Sequence, residues 1–326
     1  MKQLVGFIFL WILLLIGCTT ERQRTAMRQG LDSLNQRNRT DQPFTTKDVE
    51  PYVRFFDRHG TANDRLLAHY LLGRAYYEAG EAPMALECYH DAVDCADTTT
   101  NDCDYAQLAR VYGQIATVFY YQGLYREQLK FERLSVKYAW KGNDTLLALR
   151  NYEQISLAYK NLGMPDSAIL VIDDVEPKYE QYGYPVNAAI ALGLITKTLV
   201  EHGEYHKAKS YMDIYESKSG LFDKYGNIAQ GREIYYKSKG VYFLHTNKLD
   251  SAEYYFRKEL RDGKDFNNQN AAAKGLAELY QKLRLPDSVA KYSLYAYAMS
   301  DSLYAQRKKR TLSACRPCTT IPAIRK

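Results

Sequence analysis

Two histidines, His202 and His206, stand four residues apart, the spacing at which one helix face can offer two imidazole nitrogens to a zinc ion. Gly203 lies between them at a position that reads as a turn, and no third ligand recurs nearby, so the pair predicts surface imidazoles. His59, His69, His90 and His245 are scattered along the chain. Cys315 and Cys318 have the C-x-x-C spacing of redox and zinc motifs. No second pair follows them, and nothing upstream marks the helix N-terminus that lowers a thiol pKa. Asp94, Asp97, Asp102 and Asp104 do not follow the ligand spacing of a calcium loop. A Ser/His/Asp order, a G-x-S-x-G elbow and a glycine-rich phosphate loop are all missing from the sequence. The expectation is therefore a non-enzymatic protein with no catalytic residue, no cofactor and no metal.

Charge narrows the partners. The chain carries a formal +6, but after Asp301 it has seven bases and no acid: Arg307, Lys308, Lys309, Arg310, Arg316, Arg325 and Lys326. Removing those seven leaves residues 1–306 at −1, so the body offers no general basic face for nucleic acid. At the other end, Lys2 precedes an uncharged run from Leu4 to Gly17, too short for a helix that must cross roughly 30 Å of hydrocarbon. A short basic region, an apolar core and a small residue before Cys18 predict a secretory signal over 1–17. Leu15-Ile16-Gly17-Cys18 resembles the bacterial lipobox, which implies a diacylglycerol-bearing Cys18, a lipid-anchored linker over 18–24 and a place in the bacterial cell envelope, facing the periplasm or the cell surface. Five cysteines remain, Cys88, Cys95, Cys103, Cys315 and Cys318, an odd number that cannot pair completely. Cys95 and Cys103 flank the polar stretch Ala96 to Asp102; they either close a small loop or pack as free thiols.

The elements that carry these residues follow from internal repetition. Leu66 to Asp97 holds Leu72, Gly73, Tyr76, Gly80, Ala85, Tyr89 and Ala92 at the offsets of a tetratricopeptide (TPR) hairpin, which this segment resembles. Antiparallel helices approach to about 8–10 Å only where the crossing carries small side chains, a role assigned to Gly73 and Ala85; Gly80 makes the turn. Degenerate copies surround Gly123 (Ala116, with Gln128 in place of the small second-helix residue), Gly163 (Ser156, Ala168), Gly203 (Thr196, Ala208), Asn247 (Gly240, Ala252) and Arg284 (Ala277, Val289). The second-helix anchors lie 43, 40, 40, 44 and 37 residues apart, longer than a minimal repeat of about 34, so either the helices are longer or the loops between repeats are extended, as the polar stretches Thr98–Asp104 and Lys264–Asn270 suggest. Thr25–Gln36 and Thr46–Arg58 read as helices of an N-terminal capping pair within 25–60, joined by a loop over 37–45. About six hairpins fill 66–305, and 306–326 is an irregular basic tail. With strand patterns absent, the fold class is all-α: a right-handed superhelical solenoid of antiparallel helix pairs.

Two further features concern function. Asp166-Ser167-Ala168, Asp250-Ser251-Ala252 and Asp287-Ser288-Val289 each begin a second helix and read as helix caps; the tripeptide also looks like an O-glycosylation sequon of some Gram-negative anaerobes. In the TPR family the first helices face a concave groove, and the register puts Arg74, Tyr77, Glu78, Arg110, Tyr120, Tyr121, Arg150 and Lys160 there. Tyrosine suits peptide capture, with a rigid apolar body and a polar tip. The resemblance implies a membrane-anchored module that holds a peptide or protein segment. Related lipobox-bearing repeat proteins act as signalling receptors, so the sensor half of a receptor with a truncated or frameshifted C-terminus is a second reading, and a glycan-capturing lipoprotein a third.

Overall fold

The computed structural model describes the backbone from Lys2 to Ser313 and the side chains of residues 21–305; the Cys18 side chain and the Cys315–Cys318 pair lie outside the described residues. The helices are α1 (Lys2–Arg39), α2 (Thr46–His59), α3 (Ala62–Glu78), α4 (Ala82–Cys95), α5 (Tyr105–Tyr121), α6 (Tyr125–Lys141), α7 (Thr145–Asn161), α8 (Pro165–Gln181), α9 (Pro185–Glu201), α10 (Tyr205–Lys218), α11 (Ile234–His245), α12 (Leu249–Asp262), α13 (Phe266–Lys282) and α14 (Pro286–Ser313). Among the described residues no strand forms, apart from an isolated antiparallel bridge between Phe222 and Ile228. The chain adopts the all-α, TPR-like class read from its sequence. It divides within α5 into two compact units, Met1–Val118 and Phe119–Leu312.

One local device makes every hairpin. Gly80, Gly123, Gly163, Gly203, Asn247 and Arg284 take positive φ between α3/α4, α5/α6, α7/α8, α9/α10, α11/α12 and α13/α14. The next amide then reaches back to a carbonyl five residues earlier, as in Glu81 N to Tyr76 O at 2.9 Å and Leu285 N to Tyr280 O at 3.0 Å. This Schellman closure satisfies the carbonyls that a helix end leaves open. Asn143 and Gly183 repeat it between pairs.

Packing follows from glycines set against aromatics. A Cβ on Gly73 of α3 would stand 2.5 Å from the Tyr89 ring of α4 and 3.2 Å from the Ala85 carbonyl. In the second unit, Phe256 of α12 is gripped from both sides: a Cβ on Gly240 of α11, or on Gly275 of α13, would lie 2.4 Å from its ring. Ala85, Ala116, Ala168, Ala208 and Ala252 are fully buried, and Ala277 is half-buried. Gln128, where a small residue is replaced, is buried with its Oε1 unbonded. Tyrosines also fasten helices by donating to carboxylates: Tyr152 to Asp174 (2.6 Å), Tyr179 to Glu153 (2.9 Å), Tyr211 to Asp173 (2.6 Å), Tyr235 to Glu216 (2.7 Å) and Tyr280 to Glu253 (2.6 Å). Buried ring and satisfied hydroxyl together account for much of the chain's tyrosine content.

The structure departs from the sequence reading in several places. Residues 18–24 are not a linker in the backbone: α1 is continuous through them, and Arg24 and Arg28 pair with buried Asp64 of α3 at 4.0 and 3.0 Å. α14 runs past Ala305 to Ser313 in the backbone. The predicted loop at Lys264–Asn270 is short, because Asp265 caps α13 by accepting from the amides of Asn267 and Asn268 at 2.9 and 3.0 Å. A longer connection, 219–233, joins α10 to α11. Cys95 is a free thiol, so it closes no loop with Cys103; burial raises its pKa, and pushes that of Cys88 up to about 12. Lastly, Asp166, Asp250 and Asp287 are not N-caps. Pro165, Leu249 and Pro286 open the helices, and the caps before the first two, Met164 and Lys248, make no side-chain cap bond. The aspartates sit in the first turn, where the helix dipole favours an acid.

Candidate functional site

In the first unit the inner-face residues are committed to one another. Arg74 donates to Asn38 Oδ1 of α1 (3.1 Å), Gln114 Oε1 of α5 (2.9 Å) and Glu78 (2.9 Å), and its guanidinium lies 5.9 Å from the Tyr77 ring. Sequence register thus brings Arg74, Tyr77 and Glu78 together, and the arginine acts as a tie across three helices. Arg110 donates to the Ala106 carbonyl at 3.1 Å.

The second unit holds the other four candidates. Tyr120 packs edge-on against Tyr121, centroids 5.1 Å apart, with Tyr121 57% exposed at the end of α5. Arg150 is exposed on α7 near Glu153, whose carboxyl is pushed up to about 7 by burial, against the opposing pull of Tyr179, Arg150 and Arg232. Lys160, also on α7, is reached by solvent, yet crowding by surrounding protein lowers its pKa, helped by Lys197.

Residues that the sequence reading did not single out lie on the neighbouring first helices. The first helices α7, α9, α11 and α13 pack successively side by side. Lys197 of α9 holds Glu201 at 2.5 Å; Lys237 of α11 has its pKa lowered by burial and then by Lys197. Neither Lys160 nor Lys237 has a hydrogen bond or ion pair among the described residues. Leu194 and Ile234, on α9 and α11, are 42% and 40% exposed. Register could have found Lys197, since it follows Thr196 as Arg74 follows Gly73.

The 219–233 connection packs on α11 and α12. Asp223 accepts from the amides of Tyr225 and Asn227, both at 2.8 Å, and Ile228 N donates to Tyr236 OH at 2.9 Å. Buried Lys258 donates to Asn227 Oδ1 at 2.9 Å and lies 4.6 Å over the Tyr236 ring, holding the loop to α11 and α12. Glu259, next to Lys258, is fully buried with both carboxylate oxygens unbonded, and burial pushes it up to about 9. The histidine pair divides: His202 bonds Asp166 at 2.9 Å, and His206 is exposed.

No family model matches the sequence. The fold is similar to that of aspartyl phosphate phosphatase F from Bacillus subtilis, with a TM-score of 0.59 and 15% identity over 83% of this chain and 68% of that one. It is also similar to a Rap protein complexed with Competence and Sporulation Factor (TM-score 0.55, 13% identity, 80% of this chain and 70% of that one). A third likeness is the Rap conjugation gene regulator of plasmid pLS20 in complex with a peptide (TM-score 0.53, 14% identity, 90% and 75%). At such identities the likeness establishes the TPR-like fold.

Proposed function

We propose that this chain is an exported, lipid-anchored, non-enzymatic interaction protein that holds a peptide or protein segment along the inner face of its first helices. The observation that carries the reading is the row of α7, α9 and α11, where exposed Lys160 and half-buried Lys237 have no bonded partner among the described residues although protein crowds them, beside exposed Leu194 and Ile234. Charged groups held part-desolvated without partners are costly unless a ligand supplies the partner. Two solved structures of similar fold hold such ligands, Competence and Sporulation Factor in one and a peptide in the other. Among the described residues no helix is long and apolar enough to cross a membrane. The anchor proposed is lipid on Cys18, from the Leu15-Ile16-Gly17-Cys18 motif.

Two measurements test the two halves. Cells fed a clickable fatty acid should label the wild type and not Cys18→Ala, which should also leave the membrane fraction; equal labelling of both removes the anchor. Affinity capture of the membrane-bound protein, compared with Tyr120→Ala/Arg150→Ala, should recover a polypeptide that the double variant loses. Identical recoveries would count against the inner face as the binding site.

A further inference from the structure

The chemistry of the ligand can be taken one step further, on the basis that the inner face of the second unit binds a polypeptide. Three lysines lie on three successive first helices: Lys160 on α7, Lys197 on α9 and Lys237 on α11. Lys197 is shared with Glu201, and the other two have no bonded partner among the described residues. Glu201, bound to Lys197 and acting on Lys160 and Lys237, and Glu278, near Lys237, offset part of this charge, whereas burial holds Glu153, beside Arg150 and Arg232, at about 7, and Glu259, beside Lys237, at about 9. Counted with Arg150 and Arg232, the three lysines outnumber these acids, and the positive excess lies on a surface that also displays Leu194 and Ile234.

Helix spacing sets the ligand's period. Neighbouring packed helices run roughly 8–10 Å apart, so lysines on successive helices set out their charges with about that repeat. An extended chain advances about 3.3 Å per residue, so three residues carry it from one helix to the next. A sugar-phosphate strand also has regular negative charge, but Leu194 and Ile234 would meet it with aliphatic surface that its polar backbone cannot cover.

We propose that the α7–α9–α11 face binds an extended polypeptide segment with acidic side chains about every third residue, which engage Lys160, Lys197 and Lys237 in turn while apolar side chains between them rest on Leu194 and Ile234. The segment's own ends are not required, because the recognised carboxylates belong to side chains along its length.

The test uses the full chain in mild non-ionic detergent and fluorescein-labelled peptides of about twelve residues, long enough to span three helices, acetylated and amidated at their ends. One peptide has Asp at every third position with Leu between; a second has the same composition with its Asp residues contiguous; a third replaces Asp by Asn; dT12 serves as the nucleic-acid probe. Fluorescence polarisation should show the spaced peptide binding at least about tenfold more tightly than the other peptides and weakening about fivefold or more when salt rises from about 50 to 300 mM. Lys197→Gln/Lys237→Gln, checked for an unchanged melting temperature, should bind it about tenfold more weakly. Should that variant misfold, the single Lys160→Gln change and the wild-type salt dependence decide the matter. Equal affinity for spaced and contiguous acids, salt-insensitive binding, a requirement for a free C-terminal carboxylate, or tighter binding of dT12 overturns the proposal. A photo-crosslinking residue at Leu194 separates the two levels of inference. Crosslinking to the Asn peptide as strong as to the spaced Asp peptide would sink acid spacing and leave the groove standing; no crosslink to any peptide would sink both.

Discussion

The first helices of the two units use their cations for different purposes. In the first, Arg74 stands one residue after Gly73 and distributes its donors among Asn38, Gln114 and Glu78, joining α1, α3 and α5. In the second, Lys197 stands one residue after Thr196, but its neighbours on α7 and α11 are Lys160 and Lys237, and crowding lowers the pKa of both. A guanidinium can satisfy three acceptors at once in a fixed fork, whereas an ammonium on a flexible stem is easily left without them. At the shared position Arg74 and Lys197 each hold a glutamate four residues on, and the acceptors on neighbouring helices dictate whether a cation becomes a tie or an open charge.

The largest test of this contrast is pH. Burial alone pushes Glu132 of α6 up to about 8; for Glu259, up to about 9, burial and then Asp265 and Glu233 outweigh the opposing Lys237. Both start from 4.5 when exposed, so the folded chain retains protons that the unfolded chain releases. Their contribution is fully present below about pH 4.5 and is lost as pH rises through 8 and 9. Urea titrations of the second unit's transition should show stability falling by on the order of 2–4 kcal/mol between about pH 5 and 9, and Glu132→Gln/Glu259→Gln should flatten that slope. A slope unchanged in the double variant would assign the loss to other groups and weaken the case for an uncompensated positive face.

Beneath the two faces the packing is alike, and the second prediction checks that likeness. Gly73→Val and Gly240→Val each drive a side chain into an aromatic ring that already stands 2.5 or 2.4 Å from where Cβ would be. Both should lose about 2–3 kcal/mol by chemical denaturation, each in its own unit's transition. A neutral Gly240→Val would mean that Phe256 has room to move and that the helix pairs are not equally tight.

Much of this was readable beforehand, and the reason is geometric. Gly73, Gly80, Ala85 and Tyr89 occupy positions where only a small residue, a left-handed residue or a ring fits, so composition at fixed offsets carries the hairpin directly. The 219–233 connection was invisible because its order comes from distant groups: Tyr236 bonds the Ile228 amide, and Lys258 holds Asn227. Its only trace was the 44-residue anchor spacing, shared with any long loop. The aspartate tripeptides misled for a related reason, since Asp serves the first turn of a helix as readily as its cap. On the inner face, Arg150 and Lys160 were found by register, while Lys237 and Ile234 lie on α11, whose start is set by that same loop.

A third prediction addresses the contrast itself. Arg74→Met removes three hydrogen bonds and leaves Asn38, Gln114 and Glu78 to find water, which should destabilise the first unit by about 1–2 kcal/mol. Lys160→Met and Lys237→Met should change stability by less than about 0.5 kcal/mol or raise it slightly, because they relieve a desolvated charge with no bonded partner to lose. Thermal shifts for the three variants side by side measure the difference; a loss at Lys237 equal to that at Arg74 would make the lysine structural too.

The smallest effect concerns the two ends of the array. Gly80 turns α3 into α4 at φ 82°, and Arg284 turns α13 into α14 at φ 59°, so the same left-handed position is held once by glycine and once by a residue whose Cβ resists it. A left-handed non-glycine residue costs roughly 1–2 kcal/mol, partly offset in any comparison by the roughly 0.5–1 kcal/mol of extra freedom that glycine gives the unfolded chain. Arg284→Gly should therefore raise stability by about 0.5–1 kcal/mol. Asn247→Gly should gain less, because asparagine tolerates this conformation. Arg284→Ala separates backbone from side chain: it removes the guanidinium but keeps the Cβ, so it should gain nothing. If alanine and glycine stabilise equally, the penalty lies in burying or crowding the arginine, and the Schellman closure at Leu285 is as relaxed as its glycine counterpart at Glu81.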